Sequence, residues 1–117
     1  MARISTHVLD TSLGLPARGM TVELDILQGG QRRSLGIAQT DNEGRTDPPL
    51  LTADRLEPGT YELTFHAADY FRRVGVPLTD PPFLGHVVIR VGIADPAGNY
   101  HVPLLISPYG YTTYRGS

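Results

Sequence analysis

Met20-Thr-Val-Glu-Leu-Asp-Ile-Leu27 is the clearest alternation in the chain. Met20, Val22, Leu24 and Ile26 fall on one face of an extended segment; Thr21, Glu23 and Asp25 fall on the other. Side chains alternate across a strand with a period of two, so this is the pattern of a half-buried β-strand. Gly29-Gly30 follows as a hairpin turn and predicts a return strand over 32–40. Toward the N-terminus, residues 3–9 alternate more weakly, with Ile4, Thr6 and Val8 on one face and Ser5, His7 and Leu9 on the other. A loop with Gly14, Pro16 and Gly19 separates the two strands.

Toward the C-terminus, Asp41-Asn-Glu-Gly44 is a tight turn, with Arg45 directly after it. Residues 46–59 carry Pro48, Pro49, Pro58 and Gly59, and predict a loop with a short edge strand near Leu50-Leu51. Residues 60–67 alternate, with Tyr61, Leu63 and Phe65 inward and Glu62, Thr64 and His66 outward. Helix formers without a breaker over 67–74 predict one or two helical turns. Pro77, Pro81 and Pro82 force a loop. Strands follow at 86–94, 100–107 and 111–116, separated by Asp95-Pro-Ala-Gly98 and by Pro108 and Gly110. Seven or eight short strands with one helical turn predict an all-β fold, an antiparallel β-sandwich. Residues 1–117 form a single domain.

Composition narrows the function classes. The chain is 40% hydrophobic and 19% charged, near the soluble average, and its net charge is -2 with no basic or acidic block. That argues against nucleic acid or an anionic membrane as a partner. There is no cysteine, hence no disulfide or thiolate chemistry. Met1-Ala-Arg-Ile-Ser-Thr-His7 lacks an apolar leader segment, and no stretch reaches membrane-spanning length, so a cytoplasmic location is expected.

On the strand at 100–107, Val102, Leu104 and Ile106 are the core set, and His101, Pro103, Leu105 and Ser107 lie opposite. His7 and His101 therefore point away from the core, on faces that also hold Leu9, Leu105 and, on the last strand, Tyr111. Such a face is a subunit interface or a pocket wall, or else it carries scattered surface residues; alternation leaves both open. No HExxH, CxxC, GxSxG, Walker or GxGxxG pattern occurs. Histidine spacing does not match a metal site, and no metal or cofactor is expected. His66 and His86 sit beside strand ends and read as surface residues. His7, His101 and Arg45 remain: two imidazoles and a guanidinium suit proton transfer to a polarised planar substrate. The simpler reading of Arg45, on spacing alone, is a turn residue that satisfies Asp41 or Glu43.

The closing Tyr109-Gly-Tyr-Thr-Thr-Tyr-Arg-Gly-Ser117 holds three tyrosines in nine residues, and predicts a packed end to the chain. Together with Tyr100-His-Val-Pro-Leu-Leu-Ile-Ser-Pro108 it resembles the C-terminal signature of the transthyretin-like 5-hydroxyisourate hydrolases. Ser5-Thr-His-Val-Leu-Asp10, with Gly14-Leu-Pro-Ala17, resembles the opening of that family. Asp41-Asn-Glu-Gly-Arg-Thr46 is similar to the loop that supplies its arginine. Tyr114-Arg-Gly-Ser117 resembles the tetrapeptide that separates these enzymes from transthyretin, a hormone carrier of the same fold. Pro82-Phe-Leu-Gly-His86 departs from the family pattern and lies outside these motifs.

The resemblance implies two four-stranded sheets and one short helix, assembled as a homotetramer (a dimer of dimers) with active sites in a channel between the dimers. It implies hydrolysis of 5-hydroxyisourate to 2-oxo-4-hydroxy-4-carboxy-5-ureidoimidazoline. It makes His7, Arg45 and His101 the catalytic set, and Ser117, with Tyr114, Arg115 and Gly116, the substrate-binding wall. In that scheme His7 takes a proton from water, Arg45 stabilises the oxyanion, and His101 orients the water or protonates the departing nitrogen. A transthyretin-like carrier without chemistry is the alternative, and a structural interaction module the third reading.

Overall fold

In a computed structural model that describes residues 1–117, nine strands and one short helix form two stacked sheets. In chain order they are β1 (Ala2–Asp10), β2 (Leu15–Pro16), β3 (Thr21–Gln28), β4 (Gln31–Gln39), β5 (Leu51–Ala53), β6 (Gly59–Phe65), α1 (Ala67–Arg73), β7 (Val87–Ile93), β8 (Asn99–Ser107) and β9 (Gly110–Thr113). One sheet has the order β4-β3-β6-β7, four strands as expected. The other runs β2-β1-β8-β9 and has β5 as a fifth member.

The fifth strand does not widen that sheet. One edge of β1 is shared by three short antiparallel partners in succession. β5 pairs with Ala2–Ile4, Arg45 bridges His7, and β2 pairs with Leu9–Asp10. The other edge of β1 pairs with β8 in parallel, Arg3–Asp10 against Asn99–Ile106. This one parallel pairing departs from the antiparallel expectation. Parallel neighbours need a long crossover, and here the crossover contains the whole second sheet.

The core follows the alternation. Ile4 and Val8, Val22, Leu24 and Ile26, Tyr61, Leu63 and Phe65, and Val102, Leu104 and Ile106 join one buried cluster between the sheets. Each such side chain contributes roughly 1.5–3 kcal/mol by leaving water. The β3–β4 hairpin closes with Gln28 opposite Gln31, and Gly29 and Gly30 both adopt positive φ, as a two-residue primed turn requires. Helix α1 packs Tyr70 and Phe71 inward, and the Tyr70 hydroxyl donates to Asp10 at 2.9 Å, which ties α1 to the end of β1.

The last strand is shorter than expected. β8 and β9 pair from Ser107–Gly110 to Leu104–Thr113, and the ladder then stops. Gly116 rejoins it by an isolated bridge to His101, in the same register. Pro103 explains the gap. The carbonyls of His101 and Pro103 both face the β9 side, taken by Gly116 N–H and by the Thr113 hydroxyl. Backbone N and O of a strand residue point the same way, so the N–H that Pro103 lacks is the one due to β9. Tyr114 and Arg115 leave the sheet at that point. The register also places Tyr111 opposite Ile106, on the core side, and gives the outer position beside Leu105 to Thr112. Tyr111 is 46% exposed because β9 is an edge, and Tyr109 and Tyr114 are more exposed still. The end of the chain is held by its backbone, not by packed tyrosine rings.

Glu62 lies on the outer face of the second sheet, as its alternation predicts, yet only 2% of it is exposed. Arg90 donates from Nε and Nη2 to one carboxylate oxygen at 2.9 and 2.7 Å, and Arg32 donates to the other. The arginine stems cover the carboxylate while their heads stay in water. Hydrogen bonding from Arg90, joined by the charge of Arg32, holds the Glu62 carboxyl below the ordinary glutamate range despite its burial. As pH falls, the unfolded chain takes up this proton first. The contribution is present above the ordinary glutamate value and is lost as pH falls through the lowered one. Glu62→Gln should therefore cost about 1.5–3 kcal/mol near neutral pH, the range for hydrogen bonds to a charged group. Denaturant melts should show that difference narrowing as pH falls below the ordinary glutamate value, about 4.3. A gap that does not change with pH would remove the charge from the explanation.

Candidate active site

The parallel register puts Ser5 opposite His101 and His7 opposite Pro103. All four share the outer face of the first sheet, because residues opposite each other in a ladder project to the same side. The histidines stand on adjacent strands, two residues out of step. Neighbouring Leu9 and Leu105 are paired and only half-buried.

Arg45 reaches this face through its turn. The Asp41 carboxylate accepts the backbone N–H of Glu43 at 2.9 Å and of Arg45 at 3.1 Å, and Asp41 N–H donates to the Arg45 carbonyl at 2.7 Å. Those backbone donors, Arg45 first, hold the Asp41 carboxyl below its usual range. Gly44 then locks the turn onto β1. Its carbonyl accepts Val8 N–H at 2.8 Å and its φ is +79°. A Cβ at Gly44 would lie 2.3 Å from the Val8 carbonyl oxygen and 3.3 Å from His7 Cδ2. Only glycine permits this approach. Asp41 is satisfied by the backbone of Arg45, so the guanidinium is left free of it. The nearest carboxylate, exposed Glu43 at 3.7 Å, is a weak surface partner.

A cleft of about 380 Å³ opens beside these groups. Arg45, His101 and Ser117 line it, with Arg3, Ser5 and Asn99 among its other polar residues. Two arginines and no carboxylate side chain face it, an arrangement that suits a planar ligand rich in acceptors. His7 is not part of that wall. It stands at the side, bridged to Arg45 through the backbone, and it acts on His101 electrostatically. Burial first, and then the neighbouring His7, Arg45 and Arg3, push the His101 imidazole below its ordinary value, which favours the neutral ring near neutral pH.

The closing tetrapeptide divides. Gly116 and Ser117 reach the His101 side, while Tyr114 and Arg115 turn into a second cleft of about 280 Å³ between the sheet edges. There Arg115 lies over the Tyr100 ring at 4.3 Å, and Ile89, Val91 and Val102 supply an apolar floor. The structure thus brings Arg45, His101, Gly116 and Ser117 together, sets His7 alongside, and places Tyr114 and Arg115 elsewhere. Ser5 makes a 2.8 Å hydrogen bond to His101 Nδ1 that motif reading did not single out. Ser5 shares strand parity with His7, which was visible in the sequence. Its partner on β8 depends on a register that was not.

Residues 4–116 match the family model Transthyretin, described as the HIUase/Transthyretin family. The 5-hydroxyisourate hydrolase 2 of Rhizobium meliloti (strain 1021) is 55% identical over 98% of this chain and 96% of its own length. The solved 5-hydroxyisourate hydrolase of Klebsiella pneumoniae superposes with a TM-score of 0.82 at 35% identity, covering both chains in full. A sea bream transthyretin solved in complex with thyroxine gives a TM-score of 0.85 at 25% identity, over 97% of this chain and 93% of that one. With a family match over nearly its whole length and a relative more than half identical, the chain belongs to the HIUase/Transthyretin family.

Proposed function

We propose that this protein hydrolyses 5-hydroxyisourate to 2-oxo-4-hydroxy-4-carboxy-5-ureidoimidazoline, a step of urate degradation. The observation that carries this reading is the cleft itself. It unites a free guanidinium, a neutral imidazole and the final serine in a wall with no opposing carboxylate side chain. The whole-length similarity to a 5-hydroxyisourate hydrolase supplies the substrate. A carrier of an apolar aromatic hormone has little use for two arginines and a histidine around its ligand.

The chemistry needs only water as co-reactant. His7 takes a proton from the water as its oxygen attacks the ring acyl carbon. Arg45 stabilises the oxyanion that forms. The acyl–nitrogen bond then breaks, and the proton held by His7 passes to the departing nitrogen. His101 is neutral near pH 7 and a poor acid, so it offers a hydrogen bond to the reacting groups in place of a proton. Ser117 holds the substrate edge, Gly116 shapes the wall against His101, and Tyr114 and Arg115 anchor the segment that carries both. The reading calls for no metal or cofactor.

A homotetramer, a dimer of dimers, fits the same face, where paired Leu9 and Leu105 stay only half-buried on the strands that carry His7 and His101. No helix is long and apolar enough to cross a membrane. A cytoplasmic location is part of the proposed reading as a hydrolase of urate degradation. Sedimentation should give the mass of four chains; a monomer at working concentration would end the tetramer assignment.

Turnover is followed as the decay of 5-hydroxyisourate freshly made from urate and urate oxidase. Arg45→Ala and His101→Ala should each lower kcat about 10²–10³-fold, the scale for one electrostatic donor, without loss of the folded state. The acid limb due to His101 should lie below the ordinary histidine value, near 6.5, because protonation is already disfavoured there. Stoichiometric binding of the substrate without turnover would favour the carrier reading. Removing Tyr114–Ser117 should leave the sandwich folded, since the β8–β9 ladder ends at Thr113. It should also cut turnover on the order of tenfold or more, the scale for misplaced catalytic geometry. A full rate in the truncated chain would reduce the tetrapeptide to packing.

A further inference from the structure

The edges of the His101 ring are not equally free. On one side, Ser5 Oγ lies 2.8 Å from Nδ1. On another, Gly116 lies so close that an added Cβ would stand 2.6 Å from Cδ2 and 3.3 Å from Cγ. Gly116 is itself fixed, because its N–H donates to the His101 carbonyl at 2.8 Å. The remaining edge, Cε1 and Nε2, is the one left to the cleft that His101 lines.

We infer that Ser5 is a positioning residue for the proposed hydrolysis: its hydroxyl donates to His101 Nδ1, and so fixes the tautomer that carries its proton on Nε2, facing the cleft. The assignment of donor and acceptor follows from acceptor strength, since either tautomer turns one hydrogen toward the cleft. An imidazole sp² nitrogen is a better acceptor than a hydroxyl oxygen, and a hydroxyl is free to rotate its hydrogen onto it at 2.8 Å. With Ser5 as donor, the hydrogen turned to the cleft is the one on Nε2. The backbone makes the contact rigid. Ser5 and His101 are direct partners in the parallel ladder, and Thr6, next to Ser5, donates its hydroxyl to the Val102 carbonyl at 2.7 Å. Arg45 and Arg3 share the cleft with His101 and no carboxylate side chain lines it, and the group within hydrogen-bond reach of Nδ1 is the Ser5 hydroxyl.

The inference rests on the hydrolase reading for its catalytic consequence, but not for its tautomer. Nitrogen-15 NMR of histidine-labelled protein above neutral pH reads that tautomer without substrate. His101 peaks are identified by their loss in His101→Gln. In the parent, Nδ1 should resonate as the unprotonated nitrogen and Nε2 as the protonated one. Ser5→Ala should move His101 toward a mixture of the two forms and raise the share with the proton on Nδ1. It should also lower kcat on the order of tenfold, the weight of one ordinary hydrogen bond. KM should shift far less. Ser5→Thr keeps the hydroxyl and should restore both the tautomer and the rate. A parent protein with the proton on Nδ1, or a Ser5→Ala variant with the parent's nitrogen shifts and kcat, would overturn the inference. Should the parent show the expected tautomer and no turnover of 5-hydroxyisourate, the functional reading falls alone.

Discussion

The site depends on one pairing, the parallel alignment of β1 with β8. These strands are about 95 residues apart in sequence, as the Ser5–His101 hydrogen bond shows with a separation of 96. Closing so long a loop costs entropy with no local return. The return comes from the second sheet, which forms within that loop and buries its inner face against the first. Once the register is set, Ser5 meets His101, and His7 takes its place two residues along. A slip of one residue would turn every side chain of β1 over and bury His7 in the core. Ile4 and Val8, both fully buried, fix the register because they have no other place to go.

Two glycines complete what the register begins. Gly44 and Gly116 each bring a loop onto a histidine-bearing strand at a distance that no side chain allows. Each does so beside an isolated bridge, His7 with Arg45 and His101 with Gly116. Isolated bridges are what a sheet offers where its ladder is interrupted. On the β9 side the interruption comes from Pro103, and on the β1 edge from the three-part sharing among β5, Arg45 and β2. The proposed catalytic set therefore sits where pairing is incomplete, with backbone near enough to steer side chains and a cleft beside it.

Much of this was legible in the residues. The alternation over 20–27, 60–67 and 100–107 located the core to the residue, because burial on one face leaves a period of two that nothing else imitates. The hairpin at Gly29-Gly30, the turn at Asp41–Gly44 and the helix after His66 were equally local. What alternation does not carry is partner and register. It put Tyr111 on the outer face, whereas pairing with Ile106 turns it inward at an exposed edge. It made Glu62 a solvent residue, since nothing along β6 announces that Arg32 and Arg90 will close over it from other strands. It gave Pro103 no meaning, although the proline shapes the end of the chain. The motifs found Arg45, His101 and Ser117, which share the cleft, but grouped Tyr114 and Arg115 with them only because they are adjacent in sequence.

The two outer faces also differ in how charge is settled. On the second sheet, Glu62 is held by two arginines and Glu23 is hydrogen-bonded to His66, so that both carboxylates find partners within the chain. On the first sheet, Arg3 and Arg45 look into a cleft without any carboxylate side chain, and His101 is driven neutral in part by their presence. Gathering cations beside a half-buried imidazole works against stability, for like charges repel and burial weakens hydration. A cleft that gathers two guanidiniums and offers them no carboxylate side chain is arranged for something that arrives from outside. A planar, acceptor-rich substrate that acquires negative charge as it reacts supplies what the cleft lacks, and does so most strongly in the transition state, where the gain counts toward rate.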